Sequence, residues 1–311
     1  MKSRVLSLFA VAGLALLFFL GNPSQSNTAD NFQWVAINVN ANPRQQADAH
    51  LLRFPSGRYF LIDAGRSGEF IVPALKQRGV KRLEAVIISH VHKDHYGGLL
   101  AIQQSGIEIG TVYRNLPSRE GCGREVPWGC DLQDIDSIFS TIFRLGIPVK
   151  TIQTGETLHQ EAKHSLDVLA AFAQKSGEYE APSVNDMSAV LRLSAGNRRI
   201  LFTGDLDSPG GDEILRRGID IRADVLKAPH HGCEGLVSEA FLEMVAPRWI
   251  VVPAPTNLWN QPRCRRVKDF ATRHRIPLLV NAIDGDITFE VTQDEIAVFT
   301  QFGPILSGLT R

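Results

Sequence analysis

Residues 89–98 have the sequence SHVHKDHYGG, which places three of the chain's nine histidines and an aspartate within six positions. In an extended segment alternate side chains point the same way, so His90 and His92 can bind one metal ion together. Asp94 and His95 follow on a turn, where they can face a second ion. Imidazole and carboxylate ligands without a thiolate suit zinc, and also manganese or iron. The stretch therefore predicts a metal site.

The segment in front of this stretch is strongly apolar. Residues 83–89, LEAVIIS, predict a buried strand, and open α/β sheets bind ligands beyond the carboxyl ends of their strands. Gly97 and Gly98 allow the chain to turn sharply into a helix behind the site. The alternative, a surface loop of solvated ionisable groups, does not explain so apolar a strand.

The rest of the chain alternates between β-rich and helical segments. Of its 311 residues 44% are hydrophobic and 21% charged, which is ordinary for a globular protein. Helices are predicted near residues 69–78 and 131–145, and residues 285–301 predict a closing hairpin. Two strand-rich halves, each with its own helices, indicate a layered α/β domain.

The stretch resembles the H-x-H-x-D-H-x-G-G signature of the metallo-β-lactamase-fold hydrolases. Five further segments resemble pieces of that family: FLIDAG at 60–65, NDMSAVLRL at 185–193, LFTGD at 201–205, ADVLKAPHHG at 223–232 and NLWNQP at 257–262. The sequences of these segments are most similar to those of the hydrolase domain of ComEC-type DNA-uptake channels and its free-standing relatives. The resemblance implies an α/β fold, a four-layer αββα sandwich of the metallo-β-lactamase type, with residues 30–311 as one hydrolase domain.

The resemblance also implies a ligand set for two divalent ions, zinc foremost, with manganese or iron as alternatives. His90 and His92 correspond to ligands of the first ion, Asp94, His95 and His230 to ligands of the second, and Asp205 to a bridging ligand. His230 is preferred over His231 because family members often have His-x-Gly at the late ligand. Asp94, Asp205 and His231 are the expected catalytic residues, with His231 as a proton donor or a group that supports a ligand.

One expected ligand is missing, because many members supply a third histidine to the first ion. His159 and His164 lie in the right interval, but residues 155–170 predict a hairpin, and Asn185 and Asp186 occupy the likelier place. The first ion is therefore expected to be held more weakly, and single-metal operation is an alternative.

Four other residues allow ordinary structural interpretations. Asp63 either orients a metal-binding histidine or is a turn aspartate. Asp48 is expected to pack or to cap a turn. Lys227 lies either near an anionic substrate or at a strand end with its ammonium in solvent. Ser188 is expected to be structural, because a metal-activated water needs no serine nucleophile.

The first 29 residues predict a secretory signal, or else an uncleaved anchor. Lys2 and Arg4 precede an apolar run over 5–21 and a polar segment over 22–30. The mature protein is therefore expected in the periplasm or outside the cell. Cleavage before Asp30 leaves 31 basic against 33 acidic residues, and such a near-neutral body does not by itself indicate nucleic acid or anionic membrane as a partner.

Four cysteines in an exported chain suggest up to two disulfides, with three possible pairings. Cys122–Cys130 is favoured because it would close the loop CGREVPWGC. A bond between Cys233 and Cys264 across the mouth of the site is conceivable, and free buried thiols remain an alternative.

The expected activity is hydrolysis by a metal-bound hydroxide. Phosphodiesters, either small molecules or nucleic acids, are the first substrate class, because of the ComEC-like wording. Alternatives are a lactone, thioester or β-lactam hydrolase and, from a different class, a metal-stabilised binding module without turnover. No polytopic membrane channel is expected within this chain, and the sequence predicts no oligomeric state.

Overall fold

The computed structural model describes residues 31–40, 45–125, 129–173, 179–233, 237–292 and 295–305. The predicted signal over residues 1–29 lies outside these ranges. None of the helices within them is long and apolar enough to cross a bilayer.

Two β-sheets form the centre of the fold. The nine-stranded sheet has the order β16-β15-β14-β1-β2-β3-β4-β5-β6, and its strands β3 to β6 are parallel. Its strands are β1 (Phe32–Ala36), β2 (His50–Arg53), β3 (Tyr59–Ile62), β4 (Arg82–Ile87), β5 (Glu108–Arg114), β6 (Val149–Thr151), β14 (Ile287–Val291), β15 (Ile296–Thr300) and β16 (Gly303–Ile305).

The seven-stranded sheet has the order β13-β12-β11-β10-β9-β8-β7, and its strands β10 to β13 are parallel. Its strands are β7 (Thr157–Glu161), β8 (His164–Ala170), β9 (Val190–Ala195), β10 (Arg198–Phe202), β11 (Val225–Lys227), β12 (Trp249–Val252) and β13 (Leu278–Val280).

Within the described residues, ten α-helices connect or cover these strands. They are α1 (Gly68–Gln77), α2 (Lys93–Tyr96), α3 (Leu99–Gln104), α4 (Arg119–Gly123), α5 (Leu132–Arg144), α6 (Ser208–Arg216), α7 (Glu239–Val245), α8 (Thr256–Trp259), α9 (Arg265–His274) and α10 (Asn281–Asp284). Short 3-10 turns occur at Asn185–Met187, Pro229–Gly232 and Pro262–Cys264.

Strand residues alternate between an inter-sheet core and two outer cores. In β3, Phe60 and Ile62 pack between the sheets, whereas Leu61 packs with α1, α3 and α5. In β10, Phe202 lies between the sheets and Leu201 packs with α6, α7 and α9. Strands covered on both faces are continuously apolar for this reason. The order of layers is helix, sheet, sheet, helix, which confirms the predicted αββα sandwich.

Four of the parallel strands end at one edge of the sandwich, and each is followed within four residues by a candidate site residue. Asp63 follows β3, His90 comes three residues after β4, Asp205 three residues after β10, and His231 four residues after β11. The carboxyl ends of parallel strands are where α/β proteins collect their functional side chains.

Candidate metal centre

Four buried side chains meet at this edge, and we call them the inner cluster: Asp94, His95, Asp205 and His231. One ligand atom from each lies within 4.8 Å of all the others. Asp205 Oδ2 lies 3.3 Å from His95 Nε2 and 3.2 Å from His231 Nε2. His231 Nε2 also lies 3.4 Å from Asp94 Oδ2. Two imidazole nitrogens and two carboxylates thus converge on one point.

The other ring nitrogen of each histidine is already engaged. His95 Nδ1 lies 2.8 Å from Asp63 Oδ2, and His231 Nδ1 lies 2.8 Å from the carbonyl oxygen of Pro253. Within the described part of the chain, neither Nε2 has a hydrogen-bond partner, although both are buried. Buried polar atoms are rarely left unpaired, and ligating histidines typically donate their second N–H to such oxygens. The donor set therefore fits a divalent cation.

The geometry corrects the expected roles of the two late histidines. His231, not His230, joins the inner cluster, whereas His230 lines the open cleft and its Nδ1 lies 2.8 Å from Asp207 Oδ1. The expectation followed the family's His-x-Gly pattern, which favours His230. In the structure His230 and His231 have φ values of 44° and 52°, so the chain turns through two left-handed residues and His231 points inward.

His90 and His92 lie beside the inner cluster, and we call them the outer pair. His90 Nε2 and His92 Nδ1 face each other at 3.1 Å, and the rings of His90 and His95 have centroids 4.1 Å apart. His90 Nδ1 lies 3.2 Å from Ser89 Oγ, and His92 Nε2 lies 2.7 Å from Glu125 Oε2. The two facing nitrogens can bind one ion together, as the spacing predicts.

Asp63 connects the two sets of ligands. Its carboxylate accepts hydrogen bonds from Ser89 N and Ser89 Oγ, each at 2.8 Å, as well as contacting His95. The prediction that Asp63 orients a histidine is confirmed for His95. Asp63 adopts a φ of 59°, a conformation that costs a non-glycine residue free energy and is typical of functional sites.

Sequence reasoning missed a buried ion pair under the centre. Lys227 Nζ lies 2.5 Å from Asp48 Oδ2 and 3.5 Å from Asp205 Oδ1, and it donates to the carbonyl oxygen of Gly204 at 2.7 Å. Asp48 Oδ1 also lies 3.4 Å from His231 Nδ1. Lys227 is therefore neither at the substrate nor in solvent, and Asp48 is more than a packing residue. A lysine inside an apolar strand was the signal available, because such residues are rarely buried unless paired.

Mutual electrostatics shift the pKa values of these groups. Burial opposes charge on His95 and His231, but Asp205 together with Asp63 beside His95 and Asp48 beside His231 outweighs it and raises the pKa of both rings well above the usual value. Burial likewise opposes ionisation of Asp94 and Asp205, but His231 and His95 outweigh it and lower the pKa of both carboxyls. For His90, burial together with its histidine neighbours lowers the pKa. The negative carboxylates that stabilise protons on these rings would also attract a divalent cation.

Among the residues that the structure describes, no further histidine lies in contact with the outer pair as a third ligand. His159 lies on the hairpin β7–β8, which the sequence predicts, and its ring packs against Phe54 and Phe60. Asn185 lines the cleft and donates from Nδ2 to Asp207 Oδ2 at 3.1 Å. Ser188 has the structural role expected of it, because its Oγ accepts a hydrogen bond from Asp205 N at 3.0 Å.

Both predicted disulfide pairings occur. Cys122 is bonded to Cys130, and Cys233 to Cys264, with Cα atoms 5.2 Å and 3.9 Å apart. The first bond closes a loop beside the outer pair, and the second fixes the residue two positions after His231. Each disulfide thus supports a different part of the centre.

A cleft of about 440 Å³ opens onto the ligands. Its floor includes Asp94 and Asp205, and three cations stand at its sides: Arg66, Lys93 and Arg124. Arg66 lies 3.7 Å from Asp94, while the other two are more than half exposed and pair with surface carboxylates. The cleft is acidic at the bottom and basic around the opening.

Comparison with known proteins agrees with this geometry. Residues 42–119 match the family model described as the metallo-beta-lactamase superfamily. The chain contains a metallo-beta-lactamase superfamily domain. Its fold is similar to that of YhfI from Bacillus subtilis, a metallo-beta-lactamase fold protein, with a TM-score of 0.51, 13% identity and coverage of 80% of this chain and 96% of that one. CmlA from Streptomyces venezuelae, a diiron beta-hydroxylase, has a TM-score of 0.51 and 14% identity over 84% of this chain and 54% of its own.

Two curated relatives are competence proteins. ComE operon protein 3 of Bacillus subtilis is 25% identical over 236 residues, which cover 75% of this chain and 28% of that protein. Competence protein ComA of Neisseria gonorrhoeae is 29% identical over 248 residues, 78% of this chain and 29% of its own length. The predicted resemblance to ComEC-type proteins is confirmed, and the matched part of the chain spans less than a third of each relative.

Proposed function

We propose that the chain is an exported metal-dependent phosphodiesterase with a dinuclear centre. The observation that carries the proposal is the pair of buried Nε2 atoms, on His95 and His231, which face the carboxylates of Asp94 and Asp205 at 3.2–3.4 Å without completing a hydrogen bond among the described residues. Members of the matched family are generally hydrolases, which agrees with a centre built from histidine and aspartate side chains.

The inner cluster would hold one ion and the outer pair a second, with Asp205 placed to contact the first of these. Divalent ions at such a site lower the pKa of a coordinated water to about 7 and so supply a nucleophile at neutral pH. Zinc suits nitrogen and carboxylate ligands, and manganese or iron would also be compatible.

The protein's own groups position the ligands and the substrate. Asp63 and the carbonyl oxygen of Pro253 fix the ring orientation of His95 and His231, so that each Nε2 faces the centre. Lys227 and Ser188 restrain Asp205 from two sides. His230 is held by Asp207 through Nδ1, so its Nε2 is the atom left to hydrogen-bond a substrate in the cleft.

The charge distribution favours a phosphodiester over an uncharged ester. Arg66, Lys93 and Arg124 stand around the opening, where they can contact non-bridging phosphate oxygens. A lactone or β-lactam offers these cations less negative charge to bind. The names of the two curated relatives, both competence proteins, agree with a nucleic-acid or nucleotide substrate.

Export is supported by the two disulfides, because such bonds form and persist in oxidising compartments. The basic and apolar pattern of residues 1–29 agrees with this placement.

The test is hydrolysis of bis(p-nitrophenyl) phosphate by the mature protein supplied with zinc or manganese. We expect turnover that falls at least about 100-fold in Asp205→Asn, because a carboxylate that faces both Nε2 atoms is lost. Asp212→Asn, an exposed change on α6, is the matched control and should retain full activity.

Two outcomes would contradict the proposal. Turnover of lactones or thioesters but of no phosphodiester would identify a carbonyl hydrolase instead. Bound metal without turnover of any ester would identify a metal-stabilised binding module.

A further inference from the structure

The loop closed by the Cys122–Cys130 disulfide brings a carboxylate to the outer pair. Helix α4 leads into this loop, and Glu125 N donates to the carbonyl oxygen of Cys122 at 3.0 Å. Glu125 is the only acidic residue between the two cysteines. It lines the cleft beside His92, and the two side chains are 19% and 15% exposed.

Both carboxylate oxygens of Glu125 are engaged. Oε2 lies 2.7 Å from His92 Nε2, and Oε1 accepts a hydrogen bond from Val184 N at 2.6 Å. The side chain therefore bridges the first half of the fold to the segment before β9. Burial opposes ionisation, but His92 and the Val184 amide outweigh it and keep the pKa of Glu125 below its usual value.

The chain closes tightly over this contact. Gly129 N donates to the carbonyl oxygen of Glu125 at 3.0 Å. A Cβ at position 129 would lie 2.5 Å from His92 Nε2 and 3.0 Å from Glu125 Oε2. The backbone of Gly129 thus lies so close to the His92–Glu125 contact that any side chain at this position would displace one of the two groups.

The contact decides which nitrogen of His92 faces His90. If Nε2 carries the proton and donates it to Glu125, Nδ1 presents its lone pair to His90 Nε2, 3.1 Å away. We infer that Glu125 is the positioning residue of the outer metal site, holding His92 in the orientation that makes the outer pair a two-nitrogen ligand. This inference rests on the proposed dinuclear function.

A positioning role differs from direct ligation in what glutamine can replace. The amide oxygen of glutamine can still accept from His92 Nε2, but its amide nitrogen cannot accept from Val184. Glu125→Gln should therefore retain part of the support for zinc binding at the outer pair, whereas Glu125→Ala should lose it. If Glu125 bound the ion with its charge, glutamine would be as damaging as alanine.

The experiment is calorimetric titration of zinc into the metal-stripped mature protein. The outer step is identified as the one that disappears in His90→Ala. We expect Glu125→Ala and Gly129→Ala to weaken this step by about 10- to 100-fold, with Glu125→Gln in between, while the inner step stays unchanged. Gly123→Ala, with open space at its Cβ, and Glu120→Gln, an exposed change on α4, are the controls.

Each outcome has a defined meaning. Two zinc steps in wild type with the outer step unchanged in Glu125→Ala would overturn this inference and leave the proposed function intact. Equal losses in Glu125→Gln and Glu125→Ala would also overturn the positioning role. If the wild-type protein binds no zinc, the proposed function is refuted. If it binds a single ion, there is no outer metal site and this inference is overturned.

Discussion

The inner cluster and the outer pair differ in how the fold supports them. Every member of the inner cluster is at most 6% exposed, and its ligands are held by groups from strand ends deep in the sandwich. In the outer pair, His92 reaches the cleft and depends on Glu125, which a disulfide-closed loop supplies. One signature motif thus contributes to two sites of unequal support, and the difference predicts that the outer ion is bound more weakly.

The largest effect is expected from replacing His231, and His230 provides the comparison. His231→Ala should abolish the inner ion and reduce phosphodiester turnover at least about 100-fold, since a buried ligand is lost. His230→Ala should keep both ions, and its phosphodiester turnover should fall about tenfold, the contribution of one hydrogen bond. Metal content and turnover of the two variants are the measurements. Loss of the inner ion in His230→Ala, with retention in His231→Ala, would reverse the assignment.

Removing the ammonium beneath the inner cluster should destabilise the fold. Lys227→Met takes away the cation that faces the buried carboxylates of Asp48 and Asp205, and breaking a buried ion pair typically costs about 3 to 5 kcal/mol. Urea unfolding of metal-stripped wild type and variant measures this difference. A cost below about 1 kcal/mol, the value of a surface ion pair, would show that Lys227 does not compensate these charges.

Stepwise removal of metal should separate the two sites. With increasing chelator, we expect the ion at the outer pair to leave first and the ion at the inner cluster last, because the outer pair offers fewer ligands and the His92 side chain is 15% exposed. Metal content measured after each dialysis step should fall from two ions to one before reaching zero. Loss of both ions in a single step would contradict unequal support.

The smallest effects should come from the disulfides, and they should be selective. Cys122→Ser with Cys130→Ser is expected to weaken outer zinc binding by several-fold, because the loop that carries Glu125 loses its closure. Cys233→Ser with Cys264→Ser should affect the inner step instead. Zinc titration of both double variants checks this, and an identical pattern in the two would show that neither bond acts on a particular site.

Much of this arrangement could be predicted from local sequence. The strand before residue 89 and the histidine spacing place His90, His92, Asp94 and His95 correctly, because both depend on short-range periodicity. The helix expected near 131–145 is α5, capped by Asp131.

The remainder depends on features that periodicity does not encode. The orientation of His231 follows from two consecutive left-handed residues, and the burial of Lys227 follows from a partner 179 positions earlier, Asp48. The contact between Glu125 and His92 joins residues 33 positions apart, beyond the reach of local periodicity. The position of Glu125 as the one carboxylate between two cysteines was the available signal.

The most direct test is a crystal structure of the zinc-loaded mature protein, with anomalous scattering measured at the zinc edge. We expect a strong peak among Asp94, His95, Asp205 and His231, and a second, weaker peak between His90 Nε2 and His92 Nδ1, with Glu125 still bonded to His92. A peak held by His230, or no peak within the inner cluster, would contradict the account.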